Sequence, residues 1–136
     1  VDEINDSDHI LQIVNQRDFR NTGSKENKIA ADSYPSGLGI RLGTDLIAQM
    51  QQSGNSRTVA HELGHTGGLG HLNDDPQDRN NLMMQAYYVW LFKGDYNKAT
   101  QLNHDQIKMI RDNYIHKRLH QGSPLRGNWW GKKQLR

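Results

Sequence analysis

Five residues of chemically useful type fall within one short stretch of this chain, His61-Glu62-Leu63-Gly64-His65-Thr66-Gly67-Gly68-Leu69-Gly70-His71. Residues four apart stand one above the other on a helix, so His61 and His65 offer their imidazoles to the same point. Two imidazoles on one helix leave a metal such as zinc in need of a third ligand from elsewhere. Gly68 can take a positive φ without steric cost, which lets the chain leave the helix and turn sharply. Three residues further on, His71 can then approach the metal from a different side. The chain has no cysteine, so a zinc site here must be built from His and carboxylate donors. Three protein ligands leave a fourth position for water, the arrangement of a catalytic rather than a structural site.

Glu62 follows His61 and is rotated from it by about 100° on a helix of 3.6 residues per turn. It should miss the metal and stand beside the water, where a carboxylate can accept a proton and later return it to a departing amine. A bare HExxH also occurs on solvated helix faces. Here three His, one Glu and one Gly are fixed together in a chain with only seven histidines, which makes a coincidence of surface residues the weaker reading.

These groups need elements to position them. Residues 9–14 (HILQIV), 28–34 (KIAADSY) and 38–42 (LGIRL) are short apolar or alternating runs that read as strands. Residues 44–52 are ambiguous between strand and helix. Residues 53–56 (SGNS) offer N-cap side chains ahead of a helix over 57–66 that Gly67 and Gly68 should end. The Asp- and Asn-rich residues 72–81 read as a loop. A further helix opens at Asn103 with Gln106 three residues on as a capping box, and Ile107, Ile110, Tyr114 and Ile115 should form its apolar face.

HExxHxxGxxH resembles the zinc-binding signature of the metzincin metallopeptidases. That family carries a methionine beneath the metal, the Met-turn, and Asn80-Asn81-Leu82-Met83-Met84-Gln85 supplies the counterpart here, with Met83 assigned and Met84 the runner-up. Its Leu82-Met83 pair is similar to that of the matrixin-like branch. The sequence departs from that branch at Leu72 after the third His, in a longer loop between His71 and Met83, and in having Gln85 and Ala86 where a proline often follows. The resemblance implies an α+β fold: a small mixed twisted sheet over a zinc-binding active-site helix, with a mostly helical C-terminal subdomain. It implies one catalytic domain over residues 1–120, with an upper subdomain over 1–67 and a lower one over 68–120, followed by a basic, Trp-containing tail over 121–136. The implied activity is zinc-dependent endopeptidase action on polypeptides, with Glu62 as general base. A protein inhibitor or propeptide is a further partner of the kind the family implies. A substrate strand is expected to pair with residues 38–42 as an edge, and residues 85–88 should wall the pocket beyond the scissile bond. The alternative is a zinc-stabilised binding module without turnover.

The bulk numbers bound the rest. The chain has 136 residues, the length of one domain. Its hydrophobic fraction of 34% and mean hydropathy of −0.92 predict a lean core and long loops. A net charge of +2 is too small for a strong phosphate footprint, so nucleic acid is not the expected partner. No stretch has the length of a membrane span, and the start at Val1 is not that of a signal peptide. The expectation is a protein acting outside the producing cell, such as the protease module of a larger secreted or toxin-like protein. Asp74, Asp75, Asp78, Asn80 and Asn81 offer oxygens to Ca²⁺, but their spacing fits no EF-hand and a solvated loop explains them. His9, His104, His116 and His120 read as surface residues. Tyr87 and Tyr88 read as core packing rather than as oxyanion donors, and Trp129-Trp130 with its basic neighbours as a docking or disordered terminus.

Overall fold

The computed structural model describes residues 10–15, 31–33 and 39–115. The expected tail over 121–136 lies outside them, as do His9, His116, His120 and the Tyr114 side chain.

Three strands form a small mixed sheet in the order β1-β3-β2: β1 (Ile10–Val14), β2 (Ala31–Ser33) and β3 (Gly39–Gly43). β1 runs parallel to β3 with Leu11 opposite Ile40 and Ile13 opposite Leu42. β2 runs antiparallel, with Ala31 opposite Leu42 and Ser33 opposite Ile40. The expectation that residues 38–42 form an edge is corrected by this pairing. β3 has a hydrogen-bonded neighbour on each side, so its backbone cannot accept a further strand. Alternation marks a strand but carries no information on its rank in the sheet, which is set by contacts distant in sequence.

Ile40 and Leu42, two apart on β3, project to one face and pack with Ala31 and Leu46. Each buried Ile or Leu of this group contributes roughly 1.5–3 kcal/mol. The ambiguous segment after β3 is helix α1 (Thr44–Ser53), where Leu46, Ile47 and Met50 line up at helical spacing against the sheet. It ends at Gly54, whose φ of 68° is the left-handed conformation glycine takes freely. Helix α2 (Arg57–Thr66) follows and packs against β2 and β3.

After β3 the described chain is helical or irregular, apart from a single bridge between Asn81 and Gln101. Helix α3 (Ala86–Leu91) and helix α4 (His104–Ile115) are joined by loops that contain 3-10 turns at Pro76–Asp78 and Tyr96–Lys98. Two more small cores form here. Leu69, Leu82 and Met83 pack with Ala60, Leu72, Leu102 and Ile110, and Met84, Val89 and Ala99 pack with Tyr88, Phe92 and Tyr96. The capping box at α4 is present. The Asn103 backbone N–H donates to Gln106 Oε1 at 2.9 Å, and the Gln106 N–H donates to Asn103 Oδ1 at 2.8 Å. The continuous apolar face expected on α4 is corrected, because Ile107 and Ile115 are 46% and 62% exposed, while Ile110 packs inward. The helix is anchored as much by polar groups as by apolar ones: Asn113 Nδ2 donates to the carbonyl of Gly67 at 3.0 Å.

Candidate metal centre

Helix α2 starts after residues 53–56, the residues expected to offer cap side chains, and one of them, Asn55, does so. Ser56 occupies the cap position but makes no side-chain cap bond, and Asn55 Oδ1 instead accepts from the Arg57 N–H at 2.8 Å. The helix ends as expected at the two glycines. Gly68 has a φ of 92°, its N–H donates to the His65 carbonyl at 2.9 Å, and the Leu69 N–H reaches back to the Gly64 carbonyl at 3.0 Å. This pair of bonds around a left-handed glycine is a Schellman turn. The turn also aims the Leu69 carbonyl at His65, whose Nδ1 lies 2.7 Å from it. One local conformation therefore orients the second His and carries the chain towards the third.

The structure brings all three histidines together. His65 Nε2 stands 3.1 Å from His61 Nε2 and 3.1 Å from His71 Nε2. The His65 ring is edge-on to both others, with centroids 4.7 Å away in each case. His61 and His65 are buried and His71 is half-buried. His61 Nδ1 faces the Leu82 carbonyl at 2.8 Å. A carbonyl can only accept, so Nδ1 of His61 and of His65 each carries a ring proton, and in the neutral ring Nε2 is then the nitrogen with the lone pair. Burial, with further contributions from His65, His71 and Arg57, lowers the His61 pKa to about 3 against the weaker opposing effect of the Leu82 bond, so the ring is neutral at pH 7.

Lone pairs aimed at one another at this distance repel, and a cation placed between them removes the repulsion. Nitrogens held at ~2.0–2.1 Å from a tetrahedral ion lie about 3.3 Å apart, close to the separations seen. The residues fit a metal, and His61, His65 and His71 are the only group of three or more such donors among the described residues. Glu62, next along α2, is 2% exposed and is thus buried rather than on a solvated face.

Met83 and Met84 are both fully buried but belong to different cores. Met83 packs with Leu69 and Leu82 and has its Cε 3.2 Å from where a Cβ at Gly64 would stand, under the helix that bears the ligands. Met84 packs with Val89 and Ala99. Met83 is thus the methionine seen packed against Gly64 of α2, while Met84 sits in a separate core. The strand of chain after His71 is stitched to the same loop: the Leu72 N–H donates to the Met83 carbonyl at 3.1 Å, and Asn73 and Gln85 exchange bonds of 2.7 and 3.0 Å.

Several residues that position the centre were missed in the sequence. Asn81 Oδ1 accepts from the Met83 N–H at 2.8 Å while its amide exchanges bonds with Gln106 of α4. Arg57 is 4% exposed and donates to the carbonyls of Asn81, Leu82, Met84 and Ala99. Its signal was present: a cation in the first turn opposes the helix dipole and calls for another reason to be there. Gly64 carried one too, since glycine in a helix interior costs about 1 kcal/mol against alanine.

The other expectations divide. Tyr88 packs in the third core, as expected, whereas Tyr87 is 49% exposed. His104 is exposed. Asp75 Oδ1 accepts from the Gln77 N–H as the cap of a 3-10 turn, and Asn81 is buried and bonded to Met83 and Gln106. No helix among the described residues is long and apolar enough to cross a membrane. No protein-family model, curated protein or solved structure matches this chain.

Proposed function

We propose that the chain is a zinc-dependent endopeptidase of the metzincin type, with His61, His65 and His71 as ligands and Glu62 as general base. The observation that carries this reading is the convergence of three Nε2 atoms, two of them from the helix that also carries the buried Glu62. Neutral imidazoles without thiolate suit zinc, and three ligands leave a position open for chemistry. Met83, packed beneath α2, agrees with the family resemblance.

When bound, zinc supplies Lewis acidity, acidifying water and polarising a peptide carbonyl. The protein's own role is to hold the ligand nitrogens and to move a proton. The Leu82 and Leu69 carbonyls fix the His61 and His65 tautomers, which keeps both Nε2 lone pairs on the metal side. The Glu62 carboxylate accepts the proton of the attacking water and delivers it to the nitrogen of the departing amine. An extended polypeptide would pair with β2 rather than β3. Among the described residues β2 has a strand neighbour on one side only, and it packs against α2.

The test is elemental analysis of the full chain together with cleavage of an unstructured protein, with and without chelator. About one zinc per chain, cleavage abolished by chelator and restored by zinc, and loss of roughly 10²–10⁴-fold in Glu62→Gln with zinc retained are expected. A protein that binds zinc but never cleaves would be the non-catalytic binding module instead. A protein that takes up no metal overturns both.

A further inference from the structure

Arg57 opens α2, where the exposed N–H groups of the helix make a cation unwelcome, and its side chain is withdrawn from water. Burial lowers its pKa, against opposing contributions from Tyr96. A charge kept in so costly a place must be held by several good partners. Its Nε donates to the Ala99 carbonyl at 2.6 Å, and its Nη2 is shared among the carbonyls of Met84 at 2.7 Å, Leu82 at 3.1 Å and Asn81 at 3.3 Å. The guanidinium carbon lies 4.5 Å over the Tyr96 ring.

Three of those carbonyls belong to the loop that bears Met83, and one of them, Leu82, is also the acceptor for His61 Nδ1. Arg57 and His61 are four residues apart and so lie on one side of α2. A single planar fork on the ligand-bearing helix therefore grips the loop that orients the first ligand.

We propose that Arg57 is a positioning residue of the metal centre, fixing the Leu82 carbonyl and through it the direction of the His61 Nε2 lone pair. The inference rests on the metal-ligand half of the proposed function and not on peptide turnover. The fork geometry is what matters: lysine keeps the charge but, as a point donor on a flexible stem, cannot span four carbonyls.

Full-length Arg57→Lys and Arg57→Met are compared with wild type for zinc affinity, by competition with a chromophoric chelator. The NMR signal of the His61 Nδ1–H and the visible spectrum of the Co²⁺-loaded protein are followed in parallel. Leu46→Ala, in the core between the sheet and α1, serves as a control destabilised away from the site. Folded Arg57→Lys is expected to lose about 10–100-fold in zinc affinity, as for partners that orient a ligand. The His61 Nδ1–H resonance should move and the Co²⁺ spectrum should change, while Leu46→Ala alters none of these. If Arg57→Met does not fold, Arg57→Lys decides alone. Wild-type affinity and an unshifted His61 signal in folded Arg57→Lys overturn the proposal, as does an equal loss of affinity in Leu46→Ala. Zinc binding by wild type without cleavage would count against the peptidase and leave Arg57's role standing.

Discussion

The sulfur of Met83 fills the space that a side chain at Gly64 would need. A Cβ there would collide with Sδ and stand 3.2 Å from Cε, and Met83 has no solvent to retreat into. Helix α2 and the loop beneath it approach this closely only because residue 64 is glycine, and the approach lies immediately beside His65. Two effects oppose each other in Gly64→Ala. Alanine gains about 0.8–1.0 kcal/mol in helix propensity, while overpacking a closed core costs about 1–3 kcal/mol. The cost should win, giving net destabilisation on the order of 1 kcal/mol, with zinc affinity falling as the loop is pushed away. Chemical denaturation of the metal-free protein and a chelator titration measure the two. A stabilised variant with unchanged affinity would show that Met83 yields easily.

The two adjacent methionines should separate by readout. Met83→Leu roughly conserves volume and should cost less than about 1.5 kcal/mol. Met83→Ala opens a cavity under the ligand helix and should cost about 2–5 kcal/mol, with a parallel drop in zinc affinity. Met84→Ala removes a side chain equally buried, but from the core of Val89 and Ala99, so stability should fall while affinity stays near wild type. The reverse pattern in a metal titration would shift the register by one residue.

Acid should destabilise the metal-free protein through His61. Its folded pKa is about 3, depressed chiefly by burial, against 6.5 for the unperturbed side chain. Between those values the unfolded chain binds the proton and the folded chain does not, so stability rises with pH across the window. The contribution is complete above about pH 6.5 and is lost progressively as pH falls towards 3. Removing the group by His61→Gln should flatten the slope of unfolding free energy against pH between 4 and 6.5. An unchanged slope would mean that His61 is protonated in the folded state.

Local features of the chain were legible and remote ones were not. The bounds of α2 and the turn at Gly68 follow from short-range rules, because a helix ends where its own glycines let the chain turn. The capping box of Asn103 and Gln106 is equally local. The centrality of β3 was hidden, since pairing with β1 and β2 joins segments whose alternation looks the same in a centre or an edge strand. Helix α3 escaped notice because six residues hold little periodicity, and it is fixed by Val89 reaching into a core shared with Met84 and Ala99. Arg57 and Asn81 act through main-chain carbonyls and N–H groups 24 or more positions away or in a tight loop. Side-chain spacing says nothing of such partners. Ile107 and Ile115 misled for the converse reason: their spacing fits a buried face, yet α4 is docked by Ile110, Asn113 and Gln106.

Gly68 and Gly70 stand two residues apart between His65 and His71 and should respond oppositely to alanine. Gly68 has a φ of 92°, a conformation that L side chains rarely adopt, whereas Gly70 has no such angle and nothing within 4 Å of an added Cβ. At Gly70 alanine meets no obstacle and reduces the freedom of the unfolded chain, a gain of about 0.4–1 kcal/mol. At Gly68 the strain is on the order of 1–2 kcal/mol, and relaxing it would rotate the turn whose two bonds close the helix. That rotation would pull the Leu69 carbonyl from His65 Nδ1 and swing His71 away from the shared point, so two ligands would suffer from one substitution. Gly68→Ala should therefore lose both stability and zinc affinity, with affinity falling by an amount that metal excess can titrate back. Gly70→Ala should gain slightly in thermal midpoint and bind zinc as wild type does. Equal zinc affinities in the two variants would show that the left-handed turn serves the end of the helix alone and leaves the reach of His71 to the bond between Leu72 and Met83.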